Sequence, residues 1–310
     1  MKKILVIGSF MTDLVVQTEK VPVEGETTIG KTFNRFTGGK GANQAVAAAR
    51  LGGKVTMAGK LGEDDFGKEH IESLRANGID YRSVLFDPQA STGIGNIVID
   101  STGNNRIIVV PGANLKLTEQ EIEGMEDVIR SSDIIVLQLE IPVPTVNKAI
   151  DLANRHGKTV ILNPAPAQQI DPASVNKVDY IIPNETEASV LTNMEVQSLE
   201  DAEKASDMLL KQGYKNVIIT LGDKGVVYRN RHRFEHFKPY KVKAVDTTAA
   251  GDSFIGSFAF GLSKGLSIDQ AIKLAVAASA LTVTKLGAQP SLPTMEEVEA
   301  FRKGSHAKVG

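Results

Sequence analysis

Short runs rich in valine and isoleucine alternate along this chain with amphipathic segments long enough to form helices. The predicted strands lie at 4–8, 54–59, 133–139, 159–165, 180–184 and 216–222. They lack a strict alternation of polar and apolar side chains, which indicates strands buried on both faces of a parallel sheet. The predicted helices span 41–52, 64–77, 118–131, 144–157, 199–212, 251–264 and 267–285. This alternation predicts a layered α/β fold with right-handed crossovers.

Two regions depart from the alternation, at 14–38 and 83–112, and contain short β-like segments without a predicted helix. The second is typical of a β-hairpin, with TGIGNIVID and RIIVV on either side of a polar turn at 101–105. Such an insertion forms a small sheet over a site, a partner surface, or surface decoration. A chain of 310 residues with 42% hydrophobic content can bury one large core. We therefore expect a single domain over 1–310, with an appended small sheet.

Charge and composition exclude several classes of protein. The chain has 35 Lys and Arg against 37 Asp and Glu, which argues against binding nucleic acid or anionic lipid through bulk positive charge. The absence of cysteine excludes disulfides, thiolate catalysis and cysteine metal sites. The apolar run at 4–7 is too short for a signal peptide or a membrane span. We expect a cytoplasmic enzyme or ligand-binding domain with no nucleic-acid or membrane partner.

Polar residues and glycines follow the predicted strands, at the edge where open parallel sheets bind their ligands. They are Gly8 to Asp13, Gln138, Glu140, Asn163, Asn184, Glu187, Gly222 to Gly225, and Asp246 to Asp252. Loops favour such residues in any protein, but here every strong candidate for chemistry falls at this one edge. The sequence therefore predicts one site at the carboxyl ends of the strands.

A glycine-rich segment, TGGKGANQAVAAARLGG at 37–53, precedes the first predicted helix. Glycines there let backbone N–H groups approach a ligand, with Lys40 and Asn43 as further donors, although the segment alone could be an ordinary helix entry. It is not a P-loop, because no Ser or Thr follows Gly-Lys. GEDDFGKE at 62–69 ends in Glu69 and is better interpreted as an acidic helix start. No GxGxxG follows the first strand, so dinucleotide binding is only weakly indicated.

The segment KVKAVDTTAAGDSFIGSFAFGL at 241–262 is the most informative. A strand is predicted to end at Asp246, and a helix to begin near Gly251. The small residues before Asp252 would leave free amides at the helix start, which suits an anion. Asp252 alone could be a helix cap, but a cap does not require Ala-Ala-Gly. Phosphoryl transfer requires both features, namely amides for the phosphoryl oxygens and a carboxylate to accept the proton of the attacking hydroxyl.

Together these segments resemble the ribokinase-like family of carbohydrate kinases. GGKGANQAVAAARLGG and DTTAAGDSFIGSF match its two signatures, and QLEIP, NPAPA, PNETEA and TLGDKG lie between them in matching order. The similarity covers essentially the whole chain. It implies a three-layer α/β/α fold with a mostly parallel central sheet and a small β-sheet lid, through which homodimers often form. It also implies ATP-dependent phosphorylation of the 5-hydroxyl of a pentose.

The resemblance also implies roles for individual residues. Asp252 would be the catalytic base, and the sugar would be bound by Met11, Thr12, Asp13, Gly39, Lys40, Gly41, Asn43, Glu140 and Asp252. ATP would contact Asn184, Thr220, Leu221, Gly222, Asp223, Lys224, Gly225, Gly251 and Asp252, while Glu187 would order the Mg²⁺–phosphate network. A K⁺ ion would be held by Asp246, Thr248, Thr282, Lys285, Gly287 and Ser291, several through backbone carbonyls. Ordinary roles stay open for single residues: Glu187 as a solvated helix residue, Ser291 as a loop residue.

One departure bears on the substrate. Ribokinases of this family carry Asn in a GSxNxD segment, whereas this chain has GSFMTD with Met11 in its place. A thioether cannot replace an amide toward a sugar hydroxyl, and an unpartnered hydroxyl costs about 1–3 kcal/mol. The sequence therefore predicts 2-deoxy-D-ribose as substrate, as in related deoxyribose kinases that carry Met here, with D-ribose as the alternative. Met11 as neutral packing variation stays open.

Other functions are less well supported. A phosphofructose kinase would need an arginine cluster near the sugar motifs, and a nucleoside kinase would need stacking aromatics in the lid; neither is evident. A fructose kinase is a further alternative within the family. A non-catalytic sugar- or nucleotide-binding regulator would not require Asp252 with its Ala-Ala-Gly run. A nicotinamide-dependent oxidoreductase is the weakest alternative.

Overall fold

The computed structural model describes residues 1–306; residues 307–310 of the predicted domain lie outside it. The strands of this range are β1 (Lys3–Ile7), β2 (Met11–Thr18), β3 (Gly30–Gly38), β4 (Lys54–Gly62), β5 (Asp80–Asp87), β6 (Ile94–Ile99), β7 (Asn105–Val110), β8 (Ile134–Leu137), β9 (Thr159–Leu162), β10 (Tyr180–Ile181), β11 (Asn216–Thr220), β12 (Val226–Asn230) and β13 (Phe234–Phe237). The helices are α1 (Lys40–Arg50), α2 (Asp65–Ala76), α3 (Glu119–Gly124), α4 (Glu126–Ser131), α5 (Val143–Arg155), α6 (Pro172–Val175), α7 (Glu185–Thr192), α8 (Leu199–Gln212), α9 (Ala250–Ser263), α10 (Ile268–Thr282) and α11 (Met295–His306).

A large twisted sheet forms the middle layer, in the order β13-β12-β11-β10-β9-β8-β1-β4-β5. Neighbouring strands are parallel from β11 to β5 in this order, and β12 and β13 extend the sheet as antiparallel strands at one edge. Ile4 and Val6 of β1 face one hydrophobic core, whereas Leu5 and Ile7 face the other. Because strand side chains alternate between faces, this division places helices on both sides of the sheet. The predicted three-layer α/β/α fold is confirmed.

A second, small sheet has the order β3-β2-β6-β7. The expected hairpin is present as β6 and β7, and β2 pairs with β6 in parallel. The predicted lid boundaries are wrong in two places. Residues 83–87 belong to β5 of the large sheet, because Val84 packs into a core beside β4, and the small sheet starts at Met11 rather than at 14.

Most predicted helices lie within two residues of the observed bounds, but two differ. The segment 118–131 is two helices, because the chain turns at Met125, directly after Gly124. The helix predicted to reach 285 ends at Thr282. There the carbonyl of Val283 accepts the amides of Val245 and Asp246, which ties the end of α10 to the segment before α9. The acidic helix start in GEDDFGKE is confirmed, since Asp64 caps α2 by accepting from the amide of Gly67.

Helices α1 and α9 pack closely against each other beside β1. Small residues allow this approach: a Cβ built on Gly256 of α9 would lie 2.4 Å from the carbonyl oxygen of Gln44 and 2.6 Å from the Cβ of Ala47. Residues Gly41 to Ala48 of α1 are all buried. This contact brings the amide side chains at the start of α1 against the start of α9.

Candidate active site

Two adjoining cavities open at the carboxyl edge of the large sheet, and both are lined by Lys40, Ala249 and Asp252. The small-sheet cavity, of about 590 Å³, lies against the small sheet and is also lined by Met11, Asp13, Asn43, Gly95 and Glu140. The helix-start cavity, of about 190 Å³, is also lined by Asn163, Asn184, Glu187, Thr220, Thr247 and Gly251. A ligand in either cavity would therefore meet Asp252 at the junction.

Asp252 lies in the first turn of α9 and is only 8% exposed. Its Oδ2 accepts a hydrogen bond from Asn43 Nδ2 and its Oδ1 accepts one from Gln44 Nε2, both at 2.9 Å. Burial raises the pKa of the Asp252 carboxyl, an effect that nearby Lys40 and the two amide donors oppose. The donors favour the ionised form, which is the form a proton acceptor needs.

The start of α9 has the geometry of an anion site. Ala249 adopts a left-handed conformation, with φ 59°, immediately before the helix. The first amides of a helix have no intrahelical acceptor. The amide of Ala250 donates to the carbonyl oxygen of Thr247, whereas Gly251 and Asp252 line the helix-start cavity without such a backbone contact. A Cβ built on Gly251 would meet no atom within 4 Å, so this position faces open space. Backbone amides and the helix dipole together favour a phosphate-like group here.

The glycine-rich segment folds closely against the turn after β1. Gly39 has φ 87°, and a Cβ built there would lie 2.6 Å from the amide nitrogen of Met11. A Cβ on Gly41 would lie 2.5 Å from the amide nitrogen of Ser9. Glu140 accepts hydrogen bonds from the backbone amide of Lys40 and from the hydroxyl of Ser9, which joins this segment to the loop after β8.

Lys40 provides positive charge at the junction of the cavities. Burial lowers the pKa of its ammonium group, but the carboxylates of Asp252, Glu140 and Glu187 outweigh that effect and raise it. Lys40 therefore stays charged and lies where a negatively charged group would pass between the two cavities.

Strand β2 presents alternate residues to the small-sheet cavity. Met11 and Asp13 line the cavity, whereas Thr12 is fully buried on the opposite side, 3.2 Å from Nε2 of His70. The structure therefore does not bring the side chain of Thr12 into the site, because successive side chains of a strand face opposite ways. Burial, with the nearby charges of Glu140 and Asp252, raises the pKa of Asp13 to about 6.

Asn184 and Glu187 form a reciprocal capping box at the start of α7. The amide of Glu187 donates to Asn184 Oδ1, and the amide of Asn184 donates to Glu187 Oε2. Glu187 is 9% exposed, and burial raises its pKa. The alternative of a solvated helix residue is therefore wrong, because Glu187 caps its own helix and lines the helix-start cavity.

Of the predicted ATP-binding residues at 220–225, Thr220, the last residue of β11, is the one that lines the helix-start cavity. Leu221 is buried in a core, and the ammonium group of Lys224 contacts Glu185 and the carbonyl of Gln197. Gly222, Asp223 and Gly225 complete a tight turn in which both glycines have positive φ. Their contacts with a nucleotide remain predictions.

The predicted cation ligands are only partly brought together. Asp246 accepts hydrogen bonds from the amide and hydroxyl of Thr248 and from the amide of Gly287. The side chains of the other three point elsewhere: Thr282 contacts Ser253, Lys285 contacts Glu297, and Ser291 contacts the carbonyl of Ala288. These three could contribute only backbone carbonyls to a cation near Asp246.

Sequence reasoning missed Gln44, which contacts Asp252 directly. Its neighbour Asn43 was assigned to the sugar by motif, but nothing in the sequence separated Gln44 from the buried alanines that follow. Gln138 and Asn163, which the sequence places at the carboxyl ends of strands, both contact Gln44.

Comparison with known proteins gives a consistent result. The chain matches the pfkB family of carbohydrate kinases over residues 1–295. A deoxyribokinase of Salmonella typhi is 40% identical over 96% of this chain and 98% of the relative. A ribokinase of Haemophilus influenzae is also 40% identical, over 97% of this chain and 98% of the relative. The solved structure of Arabidopsis thaliana ribokinase complexed with ribose and ATP has a TM-score of 0.93 and 33% identity, covering 97% of this chain and 99% of that one.

The matched region includes the segments at 37–53 and 241–262 and all the residues that line the two cavities. Among residues 1–306, no helix combines the length and apolar character that a bilayer crossing requires. The resemblance seen in the sequence motifs is confirmed by these comparisons over nearly the full chain. This chain therefore belongs to the pfkB family of carbohydrate kinases.

Proposed function

We propose that this carbohydrate kinase transfers the γ-phosphoryl group of ATP to the 5-hydroxyl of a pentose, and that 2-deoxy-D-ribose is its preferred substrate. The observation that carries the proposal is the position of Asp252 at the junction of two cavities. The small-sheet cavity supplies acceptors for sugar hydroxyls, and the helix-start cavity supplies amides for phosphate oxygens. The named relatives include both deoxyribokinases and ribokinases at 40% identity, so overall similarity does not choose between the two sugars.

In the proposed reaction, the sugar lies in the small-sheet cavity with its 5-hydroxyl toward Asp252. Asp252 accepts the hydroxyl proton as the sugar oxygen forms a bond to the γ-phosphorus and the bond from that phosphorus to the bridging oxygen of ADP breaks. The amides at the start of α9 and the ammonium group of Lys40 stabilise the charge on the phosphoryl oxygens. Asn43 Oδ1 is buried and has no hydrogen-bond partner within the described residues, so it can accept from a sugar hydroxyl.

The residues around the helix-start cavity fit a magnesium nucleotide. Mg²⁺ is usually held by one or two carboxylates together with substrate phosphates, and Glu187 supplies one carboxylate here. The described residues contain no cluster of three acidic or histidine side chains that would hold a metal alone. When bound with the nucleotide, Mg²⁺ would neutralise phosphate charge beside Glu187 and Asp252. A K⁺ ion would be held by Asp246 and neighbouring carbonyl oxygens, which are the hard ligands such a cation needs.

In this proposal, Met11 determines the preference for 2-deoxyribose over ribose. It lines the small-sheet cavity beside Asp13, is 7% exposed, and presents a thioether where an amide would recognise a hydroxyl. A built Cβ on Gly95 would lie 2.8 Å from Asp13 Oδ1, so glycine leaves room for that carboxylate next to Met11. This wall of the cavity therefore combines a strong hydrogen-bond acceptor, the carboxylate of Asp13, with the apolar side chain of Met11. Such a wall suits a sugar that lacks a hydroxyl next to Met11.

Replacing Met11 by asparagine is expected to shift the ratio of kcat/KM for 2-deoxyribose over ribose toward ribose by about tenfold or more. The new amide would pair with the additional hydroxyl of ribose. Val15→Asn is the matched control, because Val15 lines the same cavity further along β2 and should leave the ratio unchanged. ADP release measured with both sugars decides the matter: an unchanged ratio in Met11→Asn would return Met11 to a packing role.

The small sheet supports a homodimer as the proposed assembly. Ile108 and Val110 on β7, an edge strand of that sheet, and Phe33 on β3 are exposed on the face away from the small-sheet cavity, which Ile107 and Val109 line. Pairing two copies through their small sheets would cover these side chains. In sedimentation experiments we expect the wild-type chain to be a dimer and the Ile108→Lys variant to be a monomer. A wild-type monomer at micromolar concentration would contradict the proposal.

A further inference from the structure

A chain of buried amide side chains contacts the Asp252 carboxylate from the interior of the protein. Gln44 Nε2 donates to Asp252 Oδ1 at 2.9 Å and lies 3.2 Å from Asn163 Oδ1. Gln138 Nε2 donates to Gln44 Oε1 at 2.7 Å. Gln44 and Gln138 are fully buried, and Asn163 is 6% exposed. The chain joins residues that follow β8 and β9 to helices α1 and α9.

The direction of these hydrogen bonds is determined at one end by the backbone. Asn163 Nδ2 donates to the carbonyl oxygen of Ile182, which can only accept. The Oδ1 of Asn163 therefore faces Gln44 as an acceptor, and Gln44 must present its amide nitrogen to both Asn163 and Asp252. Gln44 Oε1 then needs a donor, which Gln138 supplies. Each amide in the chain thus holds the next in one orientation.

The arrangement leaves one polar atom unsatisfied. Gln138 Oε1 is buried without a hydrogen-bond partner among the described residues. A buried acceptor of this kind destabilises the folded state, so three buried amides are not what stability alone would select. Their common end point is one oxygen of Asp252, and this points to a role in the chemistry of that carboxylate.

We infer that Gln44, oriented by Gln138 and Asn163, is a positioning residue that holds Asp252 ionised and directs its Oδ2 toward the sugar. This inference rests on the proposed role of Asp252 as the base. Gln44 donates to Oδ1 of Asp252 from the interior of the protein. Oδ2 of Asp252 accepts from Asn43, which lines the small-sheet cavity. The oxygen that receives the hydroxyl proton is therefore Oδ2. Loss of the Gln44 donor removes a hydrogen bond to the charged form and favours the protonated acid.

Other charged groups also face Asp252 and stay in place when Gln44 is changed. They are Lys40 from α1, Glu140 from the loop after β8, Asp13 from β2 and Glu187 from α7. Since burial raises the pKa of Asp13 to about 6, kcat at saturating sugar is the appropriate quantity for kinetics, and the titration of Asp252 should also be followed directly.

The test compares Gln44→Leu with Asn216→Leu, which removes two hydrogen bonds of an amide in β11 that does not contact Asp252. ¹³C NMR of the aspartate carboxyls, with Asp252 assigned from its asparagine variant, reports the titration without any need for activity. We expect Gln44→Leu to raise the pKa of Asp252 by about one unit, and to lower kcat tenfold or more with little change in sugar KM. Asn216→Leu should lower thermal stability alone.

Gln138→Met provides a second variant that leaves Gln44 intact, and its pKa shift should be smaller and in the same direction. An unchanged Asp252 titration in Gln44→Leu would overturn the inference, as would an equal shift in Asn216→Leu. If the wild-type chain phosphorylates no pentose, the proposed function fails, while the NMR titration still tests whether Gln44 holds Asp252 ionised.

Discussion

Asp252→Asn is expected to lower kcat for sugar phosphorylation about 10³-fold while leaving sugar affinity nearly unchanged. Asparagine keeps the size of the side chain but cannot accept the hydroxyl proton. Substrate would still be positioned by the small-sheet cavity and by the amides at the start of α9, so residual turnover should exceed the uncatalysed reaction. Rapid-mix measurement of ADP and sugar phosphate, with sugar binding followed by calorimetry, separates these quantities.

Two opposing effects decide the stability of this variant. The NH₂ group of the new asparagine would face one of the two donors, Asn43 or Gln44, so one hydrogen bond would be lost. Against this, the variant avoids the cost of burying a charge, which is the cause of the raised pKa of Asp252. We therefore expect a change in Tm of only a few degrees, far too small to explain a thousandfold loss of kcat.

Asp269→Asn is the matched control. Asp269 also lies in the first turn of a long helix, α10, but it forms an ion pair with Arg233 away from both cavities. It should retain normal kcat, so any general effect of removing an acidic residue from a helix start would be visible there. Near-normal turnover in Asp252→Asn would remove Asp252 from the role of base, and a loss of sugar binding would make it a binding residue instead.

The order of elements and the location of the site could be predicted from the sequence, because both depend on local patterns. Strands buried on both faces show as unbroken apolar runs, and ligand-binding residues follow them at one edge of the sheet. The sequence does not separate residues 83–87 from the neighbouring hairpin, because β5 lies at the sheet edge and is half polar, like the strands of that hairpin.

Side-chain direction and packing between distant segments could not be predicted in the same way. Thr12 stands between Met11 and Asp13 in the motif, yet the strand conformation of β2 turns it toward His70. Gln44 meets Asp252, which is 208 positions further along the chain, and no local pattern encodes that contact. Motif matching identifies the segments of a site, but which side chains face the ligand depends on the tertiary structure.

Gly256→Ala is expected to lower both stability and kcat, although Gly256 touches neither cavity. Its Cβ would lie 2.4 Å from the carbonyl oxygen of Gln44 and 3.0 Å from the amide nitrogen of Ala48, which are backbone atoms of α1 that cannot rotate away. Helices α1 and α9 must therefore separate. Overpacking of this kind typically costs about 1–3 kcal/mol, which a urea unfolding curve would measure.

Separation of α1 and α9 should also affect catalysis, because Asn43 and Gln44 on α1 donate hydrogen bonds to the carboxylate of Asp252 on α9. A displacement of about 1 Å at a catalytic group can cost about 10²-fold in rate. The decrease in kcat should therefore be much larger than the decrease in the fraction of folded protein. Gly304→Ala in α11 is the control: a Cβ there meets no atom within 4 Å, so both stability and kcat should be retained. Normal kcat in a destabilised Gly256→Ala protein would show that the contact between α1 and α9 serves stability alone, and that the donors to Asp252 tolerate movement of their helix.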